Sequence, residues 1–309
     1  RINMTKNIPS DLFENKQLKL SPLLIKSYID KLNLLGKFEE SKVNLQGSIG
    51  GNEEDEAINH FVGRFPNGAV RSQYVVINPD GDLNHIASQL ATVFSDKTLK
   101  ILYLPCGSGA GLVGLLTTFF TLRQHKYYPS LPLNIEIIGA DYSSDALSIF
   151  TEMMNSISKE FLKVGINISY STQQWDATSN TETMKLMHQF FATQADEHFV
   201  FFSNFSGATG TNNNFDDSFR TVLDYVATIG KNSTILWIEP GNFKKAERLF
   251  VKIGMLIDSI KKLWAQFTDS NSDACEISTR EFKFIHPTSL NELRGNISGL
   301  RLIIDGQDR

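Results

Sequence analysis

Residues 99–122 read LKILYLPCGSGAGLVGLLTTFFTL. Within them the apolar run Ile101–Leu104 stops at Pro105 and Cys106, then opens into the alternating glycines Gly107, Gly109 and Gly111. A short apolar run closed by turn residues is the pattern of a strand buried on both faces. Leu112–Leu122 continues as an apolar helix. Glycine lets the backbone turn sharply and come close to a ligand. A helix that starts there aims its free N–H groups at the same spot. The stretch therefore predicts a strand, a ligand-cradling turn and a helix.

Working toward the C-terminus, strands and helices alternate. Ile135–Ile138, Ile166–Tyr170, Phe199–Phe202 and Ile235–Ile238 read as buried strands. Ser143–Val164, Met184–Phe191, Phe219–Ile229 (stopped by Gly230) and Asn242–Phe267 read as helices, the last with lysines on its wet face. Phe282–Ile285 and Leu300–Ile304 read as closing strands. This alternation predicts an α/β fold with a doubly wound, mostly parallel sheet and helices on both faces. Ligands on such sheets lie outside the carboxyl ends of the strands.

Toward the N-terminus the pattern is mostly helical. Leu20–Leu35 and Leu83–Phe94 carry apolar stripes at helical spacing, and Asn78–Gly81 is a strong turn signal. Tyr74–Ile77 reads as a short strand, and Gly47–Asn52 as a flexible break. The expected division is an N-terminal helical cap or substrate region over 1–97 and a cofactor-binding domain over 98–309.

Composition narrows the function classes. A chain of 309 residues, 41% of them hydrophobic, can bury a large core without staples. Its 2 cysteines, Cys106 and Cys275, exclude a disulfide scaffold and a zinc ribbon, and they suit a reducing, cytoplasmic setting. Against 34 Asp and Glu stand 30 Lys and Arg, which excludes a broadly basic nucleic-acid binder. Nucleic acid would need a local basic patch or a partner protein. Leu112–Leu122 is too short to span a bilayer, and the opening residues carry no secretory pattern, so no membrane association is expected.

The other strand ends carry polar groups in the same order as the strands. The second ends in Asp141-Tyr142-Ser143-Ser144, where an acid can accept from ribose hydroxyls. After the third come Trp175, Asp176 and Ala177; the fourth ends in Ser203-Asn204, and the fifth in Glu239. Two cofactor readings fit the first loop. Gly109-x-Gly111-x-x-Gly114 satisfies the dinucleotide fingerprint and points to a nicotinamide- or flavin-dependent oxidoreductase.

Gly107-x-Gly109-x-Gly111 together with Asp141-Tyr142 and Asp176-Ala177 resembles the class I S-adenosylmethionine-dependent methyltransferases over roughly 99–241. The resemblance implies a seven-stranded sheet and S-adenosylmethionine as cofactor. Pro105, Cys106, Gly107, Ser108, Gly109 and Gly111 would line the methionine end, and Asp141 the ribose. Tyr142, Trp175, Asp176 and Ala177 would surround the adenine, with Ser203 and Asn204 at the acceptor edge. Asn204 can donate and accept, so it is the candidate for orienting the nucleophile. The methyl acceptor, whether RNA, protein or small molecule, is not named by these residues.

One position departs from the pattern. The family has an acid two residues before the first glycine, which helps hold the cofactor's ammonium, and here it is Pro105. That departure keeps a second reading open: a methyltransferase fold used without catalysis, as a binding or assembly partner. His60–Pro66 and Trp237–Gly241 are also similar to methyltransferase-like proteins of the small ribosomal subunit. Those carry a cysteine cluster for metal, which two cysteines cannot supply. His85, His125, His188, His198 and His286 are base candidates by residue type alone, and Arg64, Arg71 and Tyr74 could line a substrate cap. Thr209–Asn214 reads as a loop that could close over the site.

Overall fold

A computed structural model describes residues 8–44, 53–95, 97–205, 215–229, 232–240 and 276–304, with backbone alone at 276–279 and 299–304. The expected break at Gly47–Asn52, the Thr209–Asn214 loop, the Asn242–Phe267 helix, Gly230 and Cys275 lie outside the described residues.

The strands are β1 (Phe13–Glu14), β2 (Gln17–Lys19), β3 (Thr98–Leu104), β4 (Leu133–Asp141), β5 (Ile166–Gln174), β6 (Glu197–Ser203), β7 (Ser233–Glu239), β8 (Glu276–Ile285) and β9 (Glu292–Ile304). They form one sheet in the order β1-β2-β8-β9-β7-β6-β3-β4-β5. Strands β3 to β7 are mutually parallel; β9 pairs antiparallel with β7, and β8 antiparallel with β9. The seven strands from β3 to β9 are the mostly parallel, doubly wound class that the sequence predicts. Two short strands are added: β2 pairs parallel with β8 and carries β1 beside it, so the sheet has nine strands rather than seven.

Alternation along each central strand builds two cores. Leu99, Ile101 and Tyr103 of β3, with Phe199 and Phe201 of β6, face one side; Leu102, Leu104, Val200 and Phe202 face the other. The first side is covered by α1 (Pro22–Leu34), α3 (Glu54–Ile77), α4 (Asn84–Val93), α5 (Ala110–Gln124) and α6 (Ser144–Phe161). The second is covered by α7 (Asn180–Phe191) and α8 (Asp216–Ile229). A four-residue helix, α2 (Phe38–Ser41), follows α1.

The region expected as a cap is, in its described part, a layer of the same core. Tyr28, Phe61, Val70 and Leu90 pack in one cluster with Ile101, Leu116 and Ile137. The physical reason is that the apolar stripes of α1, α3 and α4 need a surface to cover, and the β3–β4–β6 face supplies it. Tyr74–Ile77 is likewise the last turn of α3 rather than a strand. Tyr74 is fully buried and stacks on Phe282, so packing overrides the β-branched propensity of Val75, Val76 and Ile77. Asn78, with φ +41°, ends the helix by donating its N–H to the Tyr74 carbonyl.

Pro66 lies inside α3 and has no N–H for the carbonyl of Val62. The Tyr28 hydroxyl donates to that carbonyl at 2.6 Å. Both residues are buried, and burial pushes the Tyr28 phenol well above its usual range. Tyr28→Phe strands a buried carbonyl and is expected to cost about 1–3 kcal/mol in urea unfolding. An unchanged midpoint would show that the bond does not compensate for the proline.

Candidate active site

The loop after β3 is held open by its glycines and braced from the next strand. Gly107 has φ +50° and Gly109 φ +93°, both left-handed. Gly109 N–H donates to the Cys106 carbonyl at 2.8 Å, closing the turn, and Cys106 N–H donates to the Ala140 carbonyl at 2.9 Å. The Asp141 carboxylate accepts from Gly107 N–H at 2.7 Å and from Ser143 N–H at 3.0 Å. Asp141 thus ties the loop to the start of α6. Burial pushes its carboxyl above the usual range, while the N–H groups pull it back. A Cβ added at Gly107 would meet nothing within 4 Å, so the loop faces open space there.

The first turn of α5 fits tightly against β6. Gly111 N–H donates to the Tyr103 hydroxyl at 3.1 Å, and that hydroxyl shares a 2.6 Å hydrogen bond with Ser203 Oγ. A Cβ at Gly111 would lie 2.7 Å from the Tyr103 oxygen. Further along α5, a Cβ at Gly114 would enter the backbone of Ala69, so α3 and α5 cross in direct contact. Cys106 and Ser108 are buried beneath the loop, and burial, with the Asp141 charge second, raises the Cys106 thiol.

At the end of β6, Asn204 takes φ +57° and donates its N–H to the Ile238 carbonyl at 3.0 Å. Its Oδ1 accepts from Arg71 Nη1 at 2.9 Å, and Arg71 Nε donates to the Asn296 carbonyl at 2.9 Å. Asn204 Nδ2 donates to Ser203 Oγ at 3.4 Å. Tyr103, Ser203, Asn204 and Arg71 thus form one polar chain from the middle of the sheet to α3. Glu239, fully buried at the end of β7, accepts through Oε1 from Phe205 N–H at 2.6 Å and from the Trp237 indole N–H at 2.8 Å.

The sequence-predicted residues Pro105 to Gly111, Asp141, Tyr142, Ser203 and Asn204 come together at the carboxyl ends of β3, β4 and β6. Chain order reverses there between β3 and β6, which is the switch point of the sheet. Tyr142 is half-exposed beside Asp141. Asp176 and Ala177 follow β5 at the same edge; Asp176 Oδ1 accepts from the Thr178 N–H and hydroxyl at 2.8 and 2.7 Å. Trp175 is buried in the α7–α8 core with its indole N–H on Thr183 Oγ1 at 3.0 Å, so its ring packs under the sheet.

None of the five candidate histidines shares the polar chain at Asn204. His125 meets Asp11 at 3.0 Å, His188 lies against Tyr225, and His198 sits at the start of β6, the opposite sheet edge. His286 is buried against Thr288, and His85 lies in the first turn of α4. Arg71, Gly68 and Tyr103 carry more of the site than their sequence suggested. His60, Arg64, Gly68 and Arg71 recur at one-turn spacing on α3, a stripe hidden by reading Tyr74–Ile77 as a strand.

Among the described residues no cluster of three or more His, Cys, Asp or Glu is placed to hold a metal ion, and no helix is long and apolar enough to cross a membrane.

No protein-family model matches the chain, and no curated protein sequence does. Several solved structures align with it. A SAM-dependent methyltransferase from Anabaena variabilis shares 14% identity over 84% of this chain and 99% of its own, with a TM-score of 0.34. An rRNA methyltransferase from Streptomyces viridochromogenes shares 10% identity over 70% and 80%, at 0.37. A precorrin-6y C5,15-methyltransferase from Geobacter metallireducens shares 9% over 71% and 87%, at 0.36. Identities and scores this low carry no argument about function; the fold class rests on the strand order.

Proposed function

We propose that this chain is an S-adenosylmethionine-dependent methyltransferase whose acceptor meets the cofactor at the carboxyl ends of β6 and β7. The observation that carries the reading is the left-handed Gly107–Gly109 turn braced to Asp141 at the switch point. Its residues fit the cofactor. Gly107 leaves room on the open side of the loop, Asp141 stands where an acid would take ribose hydroxyls, and half-exposed Tyr142 offers an aromatic face for adenine. Pro105 offers no side-chain acceptor for the ammonium.

The bound cofactor supplies an electrophilic methyl on a sulfonium. Methyl transfer asks the protein chiefly to hold the nucleophile in line. Asn204, fixed by Arg71 and by its own backbone, is the side chain suited to orienting that nucleophile. The nicotinamide or flavin reading is less well supported. Dinucleotide sheets extend through a sixth strand at this end, whereas β9 here runs antiparallel to β7.

Titration calorimetry with S-adenosylmethionine and S-adenosylhomocysteine tests the proposal. Saturable binding of both is expected, and no binding of either at millimolar concentration would end it. A chain that binds the cofactor yet transfers no label from it to a cell extract would support the non-catalytic alternative that Pro105 motivates.

A further inference from the structure

The acid missing at Pro105 leaves the amino-acid end of the cofactor without its usual partner on β3. Resting on the cofactor reading above, we infer that this end is gripped from α3 instead, by Arg71 binding the cofactor's carboxylate.

Three observations converge on Arg71. The first is its place. A Cβ added at Gly68, one turn before Arg71 on α3, would lie 2.9 Å from Ala110 Cβ and 3.1 Å from Asn204 Nδ2. Ala110 opens α5 directly after the glycine turn, and Asn204 directly follows β6. The small residue lets α3 press against the end of the loop that would hold the methionine moiety.

The second is its orientation. Arg71 Nε is fixed on the Asn296 carbonyl and Nη1 on Asn204 Oδ1, which sets the plane of the guanidinium. Its Nη2 makes no hydrogen bond among the described residues. A planar fork held at two nitrogens with a third unused is pre-organised for an oxyanion.

The third is charge. Burial lowers the Arg71 pKa to about 10, Glu239 opposes the fall, and the Arg64 charge adds to it. His60, one turn before Arg64, is lowered to about 4 by burial and by Arg64, so it is neutral near pH 7. At Arg71 the Arg64 charge acts in the same direction as burial, and a ligand carboxylate would oppose both. S-adenosylmethionine carries one, beside an ammonium and a sulfonium that this stripe would repel. Its carboxylate is therefore the group that faces α3.

The test compares three ligands by calorimetry: S-adenosylhomocysteine, its decarboxylated form and 5′-methylthioadenosine, which lacks the whole amino-acid end. In the wild-type protein S-adenosylhomocysteine is expected to bind about tenfold or more tightly than the decarboxylated form. Arg71→Met is expected to erase that margin and leave methylthioadenosine affinity unchanged, and Arg71→Lys to keep part of it. Equal wild-type affinities for the first two ligands would overturn the assignment without any variant. So would an Arg71→Met protein that keeps the wild-type margin. If none of the three binds the wild-type protein, the cofactor reading itself falls, and this assignment with it.

Discussion

Replacing Phe150 with alanine is expected to lower the unfolding free energy by about 3–5 kcal/mol and to weaken cofactor binding in the protein that remains folded. The ring is fully buried on α6 and meets Tyr103 edge-on at 6.4 Å. It also occupies the space that a Cβ at Gly109 or at Gly139 would need. Phe150 is therefore the floor of the glycine turn, and its removal leaves a cavity under that turn. A double-mutant cycle separates this from generic core loss. Gly139→Ala drives a methyl into the Phe150 ring, and in a Phe150→Leu background the clash has room to relax. The two substitutions are expected to couple by about 0.5–3 kcal/mol in urea unfolding, coupling of a size found between residues in contact. Additive effects would mean that the ring does not define the space above Gly139. Unchanged S-adenosylhomocysteine affinity in folded Phe150→Ala would mean that the loop needs no floor.

The parts of this architecture that could be read from the sequence are those whose physics is local. Ile101–Leu104, Phe199–Phe202 and Ile235–Ile238 are buried on both faces, so they stand out as unbroken apolar runs. The alternating glycines mark a backbone path that few other residues can follow, and two of them do adopt positive φ. Strands β1 and β2 have two and three residues, too few to show a period, and they were not anticipated. The braces of the site were hidden for a different reason. Arg71 and Asn204 meet across 133 positions of chain, and nothing near either residue announces the other. Asp141 was legible as an acid at a strand end, but its hydrogen bond to Gly107 depends on β3 and β4 lying side by side. Trp175 illustrates the opposite failure: its position after a strand suggested the ligand, while its size and apolarity took it into the core.

Arg123 is expected to be as costly to lose as Phe150, from the other end of the sheet. It lies in the last turn of α5, where a cation suits the helix dipole, and only 2% of it is exposed. Nη1 donates to the carbonyls of Leu131 and Val164 at 2.6 and 3.2 Å, and Nη2 to those of Phe94 and Ser95 at 3.2 and 2.7 Å. These carbonyls stand just before β4, β5 and β3, so one guanidinium gathers the entry points of three adjacent parallel strands. Arg123→Met leaves four carbonyls short of a charged donor. Each such bond contributes about 1.5–3 kcal/mol singly, and bonds that share one group do not add, so a loss above about 3 kcal/mol is expected. Arg123→Lys should recover only part of it, because a single ammonium nitrogen has three donors and cannot take the place of two nitrogens that reach four carbonyls. The two large losses should differ in kind. Arg123 sits at the edge opposite the glycine turn, so Arg123→Met protein that is still folded should bind S-adenosylhomocysteine as the wild type does, whereas Phe150→Ala should not. A wild-type urea midpoint for Arg123→Met would show that the strand entries are held by packing alone.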